Sequence, residues 1–271
     1  MKKIMLLCIV FISIHGYAQK DSIASYLDRE FKITSNKNDA KYIETSVKRE
    51  KLWELTLYYR DGKIFRKWFS KNNSRNKPVG KYLAFHRNGK ISKRSFYNDN
   101  GELEGKILTL FDNGNRNYTG FHKDGIPSGL WKYYHYNGNL AAKFYYDING
   151  DIEKYVLFNE KGEELKDDTY TKFIKPVFKN GKGEFNSRMS YLIDNISYAI
   201  NTIIYVNFII DIDGSIRDVW IANTIPEKLR NEITDFFESI KGWKPAVEMN
   251  RKIPYKYDIA LNFSTRVIDQ D

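Results

Sequence analysis

Few residues in this chain have the types and spacing for chemistry. His86 and His135 fall at the same position of a repeated unit, with Phe111 between them in that column. They read as repeat residues and not as a metal pair. Asp211-Ile212-Asp213-Gly214 and Asp147-Ile148-Asn149-Gly150-Asp151 begin like calcium loops. A calcium loop needs a Glu six residues past its Gly. Position 220 is Trp, and strand-like sequence flanks both segments, so they read as turns. The sequence has no Gly-x-Ser-x-Gly, no phosphate-loop or Rossmann glycine set, and no His-Glu-x-x-His. Paired carboxylates such as Glu163-Glu164 lie in turn sequence. No catalytic residue, cofactor or metal is expected, and the chain reads as a binding protein rather than an enzyme.

The elements that would position a binding surface come from a repeat. Gly80-Lys81-Tyr82, Gly105-Lys106-Ile107 and Gly129-Leu130-Trp131 are each followed by an Asn-Gly pair, at a period of 24–25 residues. A fixed period marks an array in which each unit buries its apolar face against its neighbours. Degenerate copies start near Trp53 and Glu153. Turn pairs recur about every twelve residues: Asp61-Gly62, Asn88-Gly89, Asn100-Gly101, Asn113-Gly114, Asp124-Gly125, Asn137-Gly138 and Asn149-Gly150. Asn-Gly and Asp-Gly suit type I′ hairpin turns, whose two central residues both need positive φ. The expectation is a long meander of β-hairpins. Tyr82, Ile107 and Trp131 share one repeat position, and Phe85, Leu110 and Tyr134 share another. These ladders are predicted to run along one face of the sheet. Tyr82, Phe85, Trp131 and Tyr134 are its candidate binding aromatics.

Composition agrees with a β-rich protein: 271 residues, 15% aromatic, 42% hydrophobic, 20 Tyr and 17 Phe. Residues 1–18 read as an export signal. Lys2 and Lys3 precede the apolar run Ile4 to Ile14, and Gly16-Tyr17-Ala18 offers a cleavage site. That run is shorter than the roughly 20 residues a membrane-spanning helix needs. The only cysteine, Cys8, lies inside it, so the mature chain has no disulfide. The formal charge is +10, yet residues 185–271 hold ten basic against twelve acidic residues. The positive surplus therefore belongs to the array. An anionic envelope surface is one partner it could meet, and export disfavours nucleic acid.

The repeat resembles MORN-like repeats, in particular the antitoxin-type MORN-repeat proteins, over roughly 53–165. The resemblance implies an architecture rather than an activity. The array is assigned to 19–165, and 166–184 reads as a linker. Residues 185–271 then change pattern to helix, strand, strand, helix, strand, so the fold class is mainly β plus α+β.

Phe208-Ile209-Ile210-Asp211-Ile212-Asp213-Gly214-Ser215-Ile216-Arg217-Asp218-Val219 resembles the central hairpin of the TonB C-terminal domain. Trp243-Lys244-Pro245-Ala246, Pro254 and Leu261-Asn262-Phe263 fit the same family. Two places depart from it. Asn195-Ile196-Ser197-Tyr198 lacks a Pro, and the usual Asn-Gly-Lys turn is Asn250-Arg251-Lys252. The resemblance implies that the last strand takes up an extended peptide by strand addition, with Tyr255, Tyr257, Ile259 and Leu261 as candidate partner-binding residues. It further implies a periplasmic or outer-membrane-associated protein of a Gram-negative cell. Its partner would be a periplasmic protein or peptide, an outer-membrane receptor being one candidate through TonB-dependent transport. Transducers of that family carry a membrane anchor and a Pro-rich spacer; six prolines in all favour an adaptor. The alternatives are an envelope scaffold whose basic array binds glycan or anionic lipid, and an antitoxin- or immunity-type partner.

Overall fold

Each run between two glycine turns alternates large apolar with polar side chains, and each becomes a strand. In the computed structural model, which describes residues 22–35, 37, 40–72, 77–166, 170–196, 198 and 200–263, the array is one antiparallel meander. Its strands are β1 (Ser22–Leu27), β2 (Tyr42–Arg49), β3 (Leu52–Tyr59), β4 (Ile64–Ser70), β5 (Pro78–Phe85) and β6 (Ile91–Tyr97). They continue as β7 (Gly105–Leu110), β8 (Arg116–Lys123), β9 (Ile126–Tyr134), β10 (Leu140–Tyr146), β11 (Ile152–Phe158) and β12 (Glu164–Leu165). Every strand pairs with its sequence neighbours, giving a 12-stranded sheet. The export signal assigned to residues 1–18 lies outside the described residues.

The turns differ from the type I′ expectation. Only at Asp124-Gly125 are both φ angles positive, 49° and 80°. At the other six pairs the glycine alone is left-handed. Gly89 N donates to His86 O and His86 N to Lys90 O, which makes a three-residue loop that ends in a glycine bulge. The asparagine stays right-handed because its side chain has work in both directions. Asn88 Oδ1 accepts the Lys90 amide at 3.0 Å, while Nδ2 donates to Asp112 O in the next loop at 2.8 Å. Asn113 and Asn137 repeat this toward Tyr136 O and Glu160 O. His86 and His135 donate from Nε2 to Leu110 O and Phe158 O. The repeat histidines and asparagines thus tie each loop to the one 23–24 residues on.

The second unit has its own core. It contains α1 (Gly181–Asn195), β15 (Ile203–Ile210), β16 (Ile216–Ile221), α2 (Glu227–Ser239) and β20 (Tyr255–Asn262). Five strands of two or three residues sit among these: β13 (Phe173–Ile174), β14 (Val177–Phe178), β17 (Trp243–Lys244), β18 (Ala246–Glu248) and β19 (Arg251–Ile253) make up the small sheets β13-β18-β19 and β14-β17. The segment read as a linker is thus partly structured. Tyr170 packs on Phe144 and Tyr155, and α1 begins at Gly181, not after 185. Pro226 flanks α2 as its N-cap.

The main sheet of this unit has the order β16-β15-β20. Strand alternation sends Ile204, Val206, Phe208 and Ile210 into a core with both helices, joined by Ile233 and Phe237. The other face, with Tyr205, Asn207, Lys256 and Asp258, turns to the array.

Candidate partner-binding cleft

The cleft lies where the C-terminal sheet meets the first strands of the array. Its lip is a tight turn after β1. The Asp28 carboxylate accepts the Glu30 and Lys32 amides at 2.8 and 2.9 Å, and Phe31 adopts φ 62°. This turn lays the Phe31 ring against Tyr42, 4.8 Å between centroids. The opposite wall comes from Asn201, Thr202, Tyr205, Asn223, Lys256 and Asp258. Together they enclose about 1250 Å³. A second hollow of about 660 Å³ shares Phe31, Lys32 and Arg66, and continues along the array over Leu57, Trp68 and Tyr82.

Charge in the cleft is unbalanced. Its three carboxylates are all engaged: Asp258 pairs with Arg29, Glu30 with Lys32, and Asp28 holds the turn. Among the described residues, Lys41, Arg66 and Lys256 form no ion pair with a carboxylate. Lys41 is only 8% exposed, and its Nζ bonds the neutral Asn207 Oδ1 at 3.1 Å. Arg66 lies over Phe65 at 4.4 Å and near Phe31. Lys256 stands over the rings of Tyr59 and Phe65. Burial lowers the pKa of Lys41. Local desolvation, with Lys41 and Arg87 as cationic neighbours, brings Lys256 down to about 8, while the residue as a whole remains exposed to solvent. Desolvation disfavours a charged ammonium unless an anion arrives.

Other cations fasten the two units together. Arg251 is 1% exposed and enters the array. Its Nη1 donates to Asn117 O and Tyr134 O, its Nη2 pairs with Glu248, and its guanidinium lies over Tyr133 and Phe111. Asn117 is the extra residue where β8 slips register against β7, so its carbonyl is left out of the ladder. The position that departs from Asn-Gly-Lys is therefore the docking residue. Arg217 pairs with Asp112 and Asp211 at 2.6 Å each. Arg87 pairs with Asp61 and stacks 4.0 Å from the Trp220 ring centroid.

The predicted site residues are scattered by the fold. Tyr257 stacks on Phe208, Leu261 is 1% exposed, and Ile259 packs on the same core. Tyr255 is half-buried beside Phe173. Their side chains thus face the helices or the small sheets, while Lys256 and Asp258 between them face the cleft. Tyr82 lines the second hollow. Trp131 is buried with Ile107 and Tyr133, and its ring lies flat on Gly120. Phe85 and Tyr134 are half-buried on the opposite face, because residues three apart on a strand point opposite ways. The two ladders do not share one face. Sequence reasoning missed Arg29, Lys41, Arg66 and Arg87. The alternation of Lys256 and Asp258 with Tyr255 and Tyr257 was the one signal available in the cleft wall. Among the described residues, no three His, Cys, Asp or Glu side chains are grouped to hold a metal ion.

The family described as MORN repeat variant matches residues 78–99 and 127–147. Those stretches are the β5–β6 and β9–β10 hairpins with the bulged Asn-Gly loops. The array is MORN-like. No curated protein matches the chain. In this MORN-like array the loop glycines close the turns, the repeat histidines and asparagines serve the loop-to-loop bonds, and the large ladder residues Ile107 and Trp131 build the core face.

Proposed function

We propose that the chain is an exported cell-envelope interaction protein whose C-terminal unit captures an extended segment of a protein partner by strand addition. The observation that carries this reading is the outer edge of β20. That strand pairs with β15 on one side, and no strand is bonded to its other side among the described residues. Phe263 N donates to Thr202 O, so by antiparallel alternation the odd-numbered residues of β20 bond β15. Lys256, Asp258 and Ala260 then present their amides and carbonyls outward, where a segment can pair. The likeness to the TonB C-terminal domain gains support from one contact. A Cβ on Gly214 would fall 2.1 Å from Trp243 O, so the Asp213-Gly214 turn and the Trp-Lys-Pro-Ala segment pack together. A periplasmic or outer-membrane-associated location and an adaptor role in TonB-dependent transport follow from the same reading.

The test places a photo-crosslinking residue at Ala260 in cells and sequences the captured peptide. An extended segment crosslinked at Ala260, lost in a folded Asp258→Pro variant, is the expected result. Undiminished capture by that variant would remove strand addition. Proline at Tyr257 or Ile259 is a poorer probe, since it breaks bonds to β15.

A second reading, an envelope scaffold, is favoured by one feature of the array. Its outer face pairs exposed lysines with exposed apolar groups at the repeat period: Lys81 beside Phe96 and Lys106 beside Phe121. Such a stripe suits an anionic lipid or glycan surface. Reversing the charge of Lys81 and Lys106 should release the protein from envelope fractions if this face carries the function.

A further inference from the structure

We infer that the cleft selects partner segments bearing acidic side chains, an inference that rests on strand addition at β20. A segment paired on the outer edge of β20 sends alternate side chains to the same face as Lys256 and Asp258. That face is the cleft wall. There Lys41, Arg66 and Lys256 form no carboxylate ion pair among the described residues, while Asp28 and Glu30 are engaged elsewhere and Asp258, the acid nearest the two lysines, is paired with Arg29. Lys41 is buried with a single neutral acceptor, and the Asn207 Nδ2 beside it has no partner. A glutamate or aspartate from the segment would supply the missing anion. The rings of Phe31, Tyr42, Phe65 and Tyr205 would cover its aliphatic part. Charge-assisted bonds in a partly dry site are stronger than neutral ones, which makes the preference for acid over amide large enough to measure.

The probes are two fluorescent peptides, one alternating Thr with Glu and one alternating Thr with Gln, titrated into the purified protein at low salt. The Glu peptide should bind about tenfold tighter, a charge-assisted gain of about 1.4 kcal/mol. Arg66→Gln with Lys256→Gln should reduce that advantage to about twofold or less. Lys256 is faced by Lys41, Arg66, Arg87 and Asp258 and by the Tyr59 and Phe65 rings. Raising the pH from 7 to 9 should therefore weaken the Glu advantage in the natural protein and leave it in Lys256→Arg. Equal affinity for the two peptides would overturn acidic selection. If both peptides bind equally and Asp258→Pro abolishes both, strand addition survives and acidic selection falls. If the Glu preference persists in Asp258→Pro, strand addition falls and the acid-selecting cationic cleft stands. Failure of both peptides to bind at millimolar concentration would overturn both.

Discussion

Arg251 Nη1 stands 2.9 Å from the Asn117 carbonyl oxygen, joining β19 of the C-terminal unit to a bulge of the array 134 residues earlier. The guanidinium is fully enclosed, and Glu248 is its carboxylate partner. Arg251→Leu removes the guanidinium and leaves the Asn117 and Tyr134 carbonyls and Glu248 without it. Breaking such a buried network should cost about 3 kcal/mol. Urea unfolding would measure it, and a loss below about 0.5 kcal/mol would show that the contact does not hold the units together.

Gly120 is where the Trp131 ring meets the sheet. A Cβ there would lie 2.2 Å from Cδ2 of the ring. Gly120→Ala must displace Trp131, whose Nε1 donates to Phe121 O, and overpacking of this kind costs about 2 kcal/mol. Thermal unfolding and the near-ultraviolet signal of the tryptophans should both change. A Gly183→Ala control, at a helical position with open space, should not destabilise the protein.

Asp112 and Arg217 make the second clasp. Burial opposes ionisation of Asp112, but the Arg217 hydrogen bond and charge outweigh it and hold its pKa below the usual range. A carboxylate with a lowered folded pKa adds stability that is present above its unfolded value and lost as pH falls through the folded one. The clasp should thus loosen below about pH 4, a range that follows from the ordinary Asp value of about 3.9. Asp112→Asn should cost about 1.5 kcal/mol at neutral pH and flatten the acid limb of the stability profile. An unchanged acid limb would assign the effect to other carboxylates.

Lys256 sets the opposite slope. Below about pH 8 it is charged in both states, and above that it is neutral in the folded state while the unfolded chain still holds the proton. The folded protein therefore gains stability from Lys256 as pH rises from about 8 toward the ordinary Lys value of about 10.4. Lys256→Met should remove that gain. Denaturation midpoints at pH 7 and 9.5 for both proteins give the answer. Lys93, also lowered by burial and not among the groups acting on Lys256, contributes alike in both proteins and cancels in the comparison.

The repeat period, the hairpins and the strands from Ile203 to Ile210 and Ile216 to Ile221 were legible because they depend on short-range pattern. Alternation of side chains and glycine at left-handed positions act within a few residues. The turn type was misread where the asparagine side chain has a partner in the next loop. Asn88 prefers its right-handed place because Asp112 O lies within reach, and that oxygen is set by how the repeats stack.

The sequence by itself determined a MORN-like meander followed by a smaller helix-and-strand unit, since local period and turn chemistry suffice for both. Only the tertiary structure decided which face of β20 meets the array, which carbonyls receive Arg251, and which cleft cations form no carboxylate ion pair among the described residues. Those outcomes depend on groups more than a hundred residues apart brought together by packing. Desolvation then sets their charge, and no local pattern in the chain encodes it.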